Sequence, residues 1–217
     1  MKSKIFRALA GVALSATALS AWAFTEGTDY IKLQEPLPNA QGTYLKIYSY
    51  DCPFCFKYDA GVDPATVPTI EKETGLKFTP QHLETKGTYG RTASLYLAMC
   101  MIKDQKASVS IESKDSLFKK AKDAVYKAYH RKKERWSSGE AAFIKTMDDA
   151  TGLKDFAQMR TDPEVVALAD SWKSTYNVAK IQGIPAYVVN GKYLIMTKSI
   201  TSTKHLIDLT KELASKK

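Results

Sequence analysis

The chain has 217 residues and carries 32 Lys and Arg against 23 Asp and Glu, a formal charge of +9. That length holds one good core, or one domain with a second inserted into it. Only three cysteines are present, which excludes the disulfide framework that staples small secreted domains, because such frameworks use more cysteines and in even number.

At the N-terminus, Lys2, Lys4 and Arg7 form a positive head, Ala8 to Leu19 an apolar run, and Ala21-Trp22-Ala23 an A-x-A site. This is the pattern of a secretory signal peptide over residues 1–23, with cleavage expected between Ala23 and Phe24. The run is shorter than the roughly 20 residues that a bilayer span needs, which weighs against a membrane anchor. Three basic residues and no acids leave with this segment, so 194 residues and a formal +6 remain. The expected compartment is the bacterial periplasm or the extracellular space, where disulfides persist. A basic chain there points to an acidic substrate protein or an anionic membrane surface, and away from nucleic acid.

Gly42 to Tyr50, GTYLKIYSY, is rich in aromatic and β-branched residues and reads as a strand. Cys52-Pro53-Phe54-Cys55 follows at once. Proline suits the first helical position, where an N–H would have no partner, so Cys52 is expected at the N-cap and Cys55 about one turn in. That helix is expected to fray before Pro64. Gly75 to Leu83 reads as a second strand, which Pro80 demotes to an edge or a strand end. From Thr88 to Asn177 helical patterns dominate. Residues 91–103 place apolar side chains, Cys100 among them, on one helical face. Residues 116–136 read as one amphipathic and very basic helix, with eight Lys or Arg between Lys119 and Arg135. Ser137 and Glu140 offer a capping box before the next helix, and Asp162-Pro163 an N-cap with proline in the first turn of another. Strand character returns after Gly183, where AYVV and KYLIM flank Asn190-Gly191, a strong hairpin signal. A helix capped by Ser202 closes the chain. The expected divisions are 24–87, a helical insertion over 88–177, and 178–217.

A thiol reacts as its thiolate, and a helix N-terminus offers unpaired N–H groups and about half a positive charge to a sulfur placed there. Cys52 is therefore expected to be the exposed nucleophile. Cys55, behind it, is expected to resolve a mixed disulfide formed on Cys52 within the same molecule. A purely structural crosslink over three residues would constrain almost nothing. A metal clasp needs about four ligands, whereas His82, His130 and His205 are scattered and Cys100 stands alone. Cys100 itself reads as an ordinary core residue, with a second redox site as the alternative. The basic run reads as a solvated helix face, or as a surface that steers an acidic client or docks near anionic lipid.

Taken together, DCPFC after a strand, a helical block between the second and third strands, GIPAYVVNGKY and a C-terminal helix resemble a thioredoxin-fold oxidoreductase of the DsbA family. The resemblance covers essentially all of the chain after residue 23. The Cys-Pro-Phe-Cys form and the basic insertion are most similar to the DsbL-type branch. The implied fold is α/β, a thioredoxin fold with an inserted all-helical domain. The implied activity is periplasmic thiol:disulfide oxidation, the Cys52–Cys55 disulfide passing to proteins with reduced cysteines. Implied partners are a DsbB-like membrane protein of the DsbI type, which reoxidises the pair, and arylsulfate sulfotransferase as a client. No metal or organic cofactor and no nucleic acid are implied, and the chain is expected to be a monomer. Disulfide isomerase or reductase remains the alternative activity, and a metal-binding module a further one. The family's cis proline, whose backbone binds the substrate peptide, corresponds to Pro185, preceded by Ile184.

Two departures from the main family pattern stand out. Phe54 replaces the histidine that DsbA carries between its cysteines. It brings no charge, and reads either as a plain exposed aromatic or as an apolar contact for the client. Lys46, six residues before Cys52, stands where thioredoxin-like proteins usually have a buried acid. It shares a strand face with Tyr44, Tyr48 and Tyr50. Either its ammonium assists the Cys52 thiolate, together with Lys57, or its stem snorkels to a sheet edge.

Overall fold

The sequence between Thr43 and Tyr48 alternates two sets of side chains, and both sets are buried. Strand β2 (Thr43–Tyr48) turns Tyr44, Lys46 and Tyr48 to one face and Leu45 and Ile47 to the other. A strand covered on both faces belongs in the middle of a sheet. The computed structural model describes residues 24–216, so the expected signal peptide lies outside the described residues. In it, β2 sits between β3 (Lys77–His82), to which it is parallel, and β4 (Ala186–Val189), to which it is antiparallel. Beyond β4 come β5 (Tyr193–Ile195) and β1 (Tyr30–Lys32), giving the order β1-β5-β4-β2-β3. Strand β3 is an edge, as Pro80 requires, since its missing N–H leaves no gap inside the ladder. The short strand β1 carries no sequence signal strong enough to have been expected.

Between β2 and β3 run α1 (Pro53–Gly61) and α2 (Asp63–Thr74). The first helix ends before Pro64, as expected, at Gly61. The chain breaks at Val62 and at once restarts as α2, with Pro64 in its first turn, where proline is tolerated. Val67 and Ile70 of α2 then pack with Leu206, Leu209 and Leu213 of the C-terminal helix α9 (Thr203–Ser215), together with Tyr44 and Tyr187 of the sheet. The other face packs Leu45, Ile47, Val188 and Leu194 against Val178 and Ala179.

All remaining helices lie between β3 and β4. They are α3 (Gly90–Lys106), α4 (Leu117–Tyr126), α5 (Glu140–Thr151), α6 (Phe156–Met159), α7 (Pro163–Ser171) and α8 (Tyr176–Gln182). This is a thioredoxin fold with a helical insertion, whose core of Tyr96, Phe118, Phe143, Met147 and Trp172 is continuous with Tyr48, Tyr50 and both active-loop cysteines. None of the described helices is long and apolar enough to cross a membrane.

Several expected details hold. Asp162 and Ser202 cap their helices through their side chains, and Asn190 and Gly191 turn the β4–β5 hairpin with φ of 53° and 67°. Two do not. Glu140 joins no capping box: the N-cap of α5 is Gly139, and the Glu140 carboxylate instead binds Thr92 and Arg160. The basic helix also stops short of Trp136. After α4 it widens into a π-helical turn, Lys127–Arg131, and then leaves the helix. Trp136 adopts φ of 51° and is buried against Phe143, ring centroids 4.8 Å apart, with Nε1 donating to Thr146 Oγ1 at 2.8 Å. Burying that indole with its N–H satisfied outweighs continuing an exposed helix.

Candidate active site

Chain direction and a proline bring the two sulfurs together. Strand β2 ends at Tyr48, Ser49 and Tyr50 follow, and the chain enters α1 with Cys52 in extended conformation as the N-cap. Pro53 begins the helix, as expected. The Cys55 backbone N–H donates to Cys52 Sγ at 3.0 Å, so sulfur does the work that an N-cap oxygen does elsewhere. Cys52 and Cys55 are joined as a disulfide, Cα atoms 5.2 Å apart. They differ in access: Cys52 keeps 8% of its surface and Cys55 none. An attacking group from solvent therefore meets Cys52 first.

A second loop faces this sulfur. Helix α8 ends at Gly183, whose φ of 83° suits glycine, and the following Ile184–Pro185 peptide is cis. Ile184 O lies 3.5 Å from Cys52 Sγ. The loop after β3 forms a further wall. Between these loops opens a groove of about 800 Å³, floored by Cys52 and lined by Leu83, Tyr176, Ala179 and Ile184, with Lys86 and Lys180 beside them. Phe54 stands at its mouth, 61% exposed, one of two large apolar side chains so exposed among the described residues. The Lys57 ammonium sits 5.5 Å from the centre of the Phe54 ring.

Behind Cys52 the approach strand is held rigidly. Tyr50 N donates to His82 Nε2 at 3.3 Å, and His82 Nδ1 donates on to Ser94 Oγ at 2.9 Å. Burial pushes His82 down to about 3, so the ring is neutral and serves as a strut. From the π-helical turn, His130 Nε2 donates to Tyr50 O at 2.9 Å, while its ring stacks on Phe56 at 4.9 Å. Burial lowers this histidine too, against the pull of the carbonyl. The π-helical turn thus aims His130 at Tyr50, in the segment that leads into Cys52.

Lys46 lies beneath α1, not at the surface. Strand β2 is central, so the sheet-edge placement does not hold. The ammonium is buried in an ion pair with Asp63, and Asp59 is 3.9 Å away. Tyr187 donates to the other Asp63 oxygen at 2.5 Å. A cation in that setting is offset by a neighbouring anion, which sequence reasoning did not foresee. Cys100 is fully buried, and burial raises its thiol pKa well above the ordinary value, as for an inert core thiol.

No family model matches the chain. It is 52% identical over 219 residues to the thiol:disulfide interchange protein DsbL of Escherichia coli O6:H1, covering 99% of this chain and 97% of that one. The crystal structure of Salmonella enterica serovar Typhimurium DsbL superposes with a TM-score of 0.83 at 52% identity, over 91% of this chain and all of that one.

The chain belongs to the DsbL-type branch of the DsbA family.

It is also 25% identical over 222 residues to thiol:disulfide interchange protein DsbA of Salmonella typhimurium, across 99% of both chains. It is a protein-disulfide oxidoreductase, and its fold brings Cys52, Pro53, Phe54, Cys55, Lys57, Ile184 and Pro185 to one end of the sheet. Lys46 is set deeper, on β2 beneath α1. The sequence reading missed Tyr50, His82 and His130 behind the cysteines, and Asp59, Asp63 and Lys122 beneath them. One signal for Lys122 was present. It shares the 118, 121, 122, 125 stripe that α4 buries, where a lysine is out of place unless it finds an anion.

Proposed function

We propose that this chain is a periplasmic dithiol oxidase that donates the Cys52–Cys55 disulfide to reduced client proteins. The observation that carries this reading is Cys52 at the positive end of α1, largely buried but the more accessible of the pair, with Cys55 sealed behind it. A client thiolate attacks Cys52 Sγ, the Cys52–Cys55 bond breaks, and Cys55 departs as a thiolate that takes up a proton. The client's second thiol gives up its proton and attacks the client sulfur of the mixed disulfide, releasing Cys52 as a thiolate. Two electrons have then passed from client to enzyme; of the two protons the client gives up, Cys55 ends with one and solvent takes the other, Cys52 remaining a thiolate. The helix terminus and the Cys55 N–H stabilise that departing thiolate, and whatever stabilises the reduced form makes the disulfide the stronger oxidant. Exchange in the other direction is what an isomerase or reductase would require.

The remaining parts have matching roles. The backbone at Ile184 and the cis Pro185 offers hydrogen-bonding groups to a client segment laid across Cys52, and Phe54 with the adjoining groove takes apolar client side chains. The DsbL-type likeness supports arylsulfate sulfotransferase as a client and a DsbI-type, DsbB-like membrane protein as the partner that takes the two electrons on to quinone. The N-terminal pattern supports export, cleavage after Ala23 and a periplasmic address. Replacing Cys55 with alanine tests the scheme, because it strands the mixed disulfide on Cys52. Expected are client adducts that disappear with reductant and with Cys52→Ala, arylsulfate sulfotransferase among them. Adducts without that enzyme overturn the client assignment, and no adducts at all overturn the mechanism.

A further inference from the structure

The inserted helices place a buried charge under the catalytic helix. Lys122, on the buried stripe of α4, is one of the eight cations of the basic run, yet it keeps only 6% of its surface. Its ammonium pairs with Asp59 of α1. The same Asp59 oxygen is 3.9 Å from Lys46 Nζ on β2, Lys46 pairs with Asp63 of α2, and Asp63 accepts from Tyr187 of β4. Five elements thus contribute to one buried row of alternating charge, Lys122, Asp59, Lys46, Asp63, which closes on a strand that begins immediately after Pro185. Two cations and two anions cancel, as a buried cluster must to avoid a large desolvation cost. Near the solvent end, Asp123 and Glu112 face Lys122. Burial pushes both carboxyls up and Lys122 draws them back. Burial would likewise depress Lys122, but Asp59 beside it leaves its pKa raised, so it holds its charge.

Asp59 follows Cys55 by four residues, which puts both on one face of α1, and Cys55 is the buried residue of that helix. We propose that Lys122 and Asp59 are positioning residues that set the oxidising strength of the Cys52–Cys55 pair, so that the helical insertion tunes the chemistry of the thioredoxin-like part. This rests on the exchange chemistry proposed above. Asp59 alone opposes a thiolate at the start of α1, and Lys122 neutralises that opposition. Asp59 lies about 10 Å from Cys52 along the helix axis at 1.5 Å per residue. A unit charge at that range, in an effective dielectric near 20, moves a titration by about one unit, or about tenfold in equilibrium.

The test is equilibration of the full mature protein with reduced glutathione and glutathione disulfide. In that reaction two glutathione thiols give two electrons and two protons to the enzyme disulfide, forming glutathione disulfide and the enzyme dithiol. Lys122→Gln leaves the row with two carboxylates and one cation, Lys46, so Cys52 should titrate about one unit higher and the equilibrium towards reduced enzyme should fall about tenfold. Asp59→Asn should do the reverse, and the double variant should return near the parent. Opposite signs are what a merely structural role cannot give, since loosened packing would move both variants the same way. Thermal unfolding checks each fold, and if one single variant does not fold, the sign of the other still decides. Shifts in the same direction, or none, overturn the inference. A parent protein that does not exchange with glutathione at all would instead overturn the proposed function.

Discussion

Replacing Lys46 with methionine removes the cation of the Lys46–Asp63 pair while keeping an apolar stem of similar length. Lys46 keeps 2% of its surface and Asp63 4%, so water does not take over the abandoned carboxylate. Asp63 retains only the Tyr187 hydroxyl, at 2.5 Å. Removing one partner of a buried ion pair costs about 3–5 kcal/mol, because the remaining charge stays buried and unpaired. For a chain of this size the guanidinium dependence is about 4–6 kcal/mol per molar, so the unfolding midpoint should fall by on the order of 1 M. The double variant Lys46→Met with Asp63→Asn should recover most of that loss, because it leaves no orphaned charge. The assay is guanidinium unfolding of the oxidised protein followed by fluorescence. A loss below about 1 kcal/mol, the size expected of an exposed pair, would refute the buried row of charge described here.

Three further outcomes follow from the same geometry. His82, held near 3 by burial, takes up a proton on unfolding at any pH between that value and about 6.5, so stability should be full above pH 6.5 and decline towards pH 3 by up to about 1.4 kcal/mol per unit. His82→Asn should flatten that part of the urea-unfolding profile, and a profile of unchanged slope would show that another group is responsible. Cys100 should react with a thiol reagent only in denaturant, and Cys100→Ala should leave disulfide exchange intact; labelling in the native state would contradict its burial. Phe54→Ser should slow oxidation of an apolar client peptide while leaving the Cys52 thiolate titration in place, and a shifted titration with unchanged client rates would reverse the role given to that ring.

The frame of the molecule was legible because local chemistry and fold agree along most of the chain. Pro53 after Cys52, Asp162 before Pro163 and Asn190 before Gly191 each specify a backbone geometry that the structure adopts. Glu140 shows the limit of that method. Its spacing from Ser137 satisfies a local rule, but Thr92 and Arg160, distant in sequence, offer its carboxylate better partners. The basic stretch to Trp136 failed for a related reason, since the pull on that indole comes from Phe143 and Thr146. At the site, the sulfurs and the facing proline could be read from motifs. Their electrostatic surroundings could not, because Lys46 meets Asp63 across a helix–sheet contact and Lys122 meets Asp59 across 63 residues of chain. Charge count alone made Lys46 look like a free cation, whereas pairing makes it one member of a neutral row.

The most direct test of the central claim is a single-turnover oxidation, in which the purified protein is mixed with an equal amount of a reduced dithiol peptide under anaerobic conditions and thiols are counted on both after an acid quench. A dithiol oxidase should begin with one free thiol, Cys100, and end with three, while each peptide that reacts loses two. An enzyme that begins with three free thiols, or keeps one while the peptide stays reduced, would contradict the account.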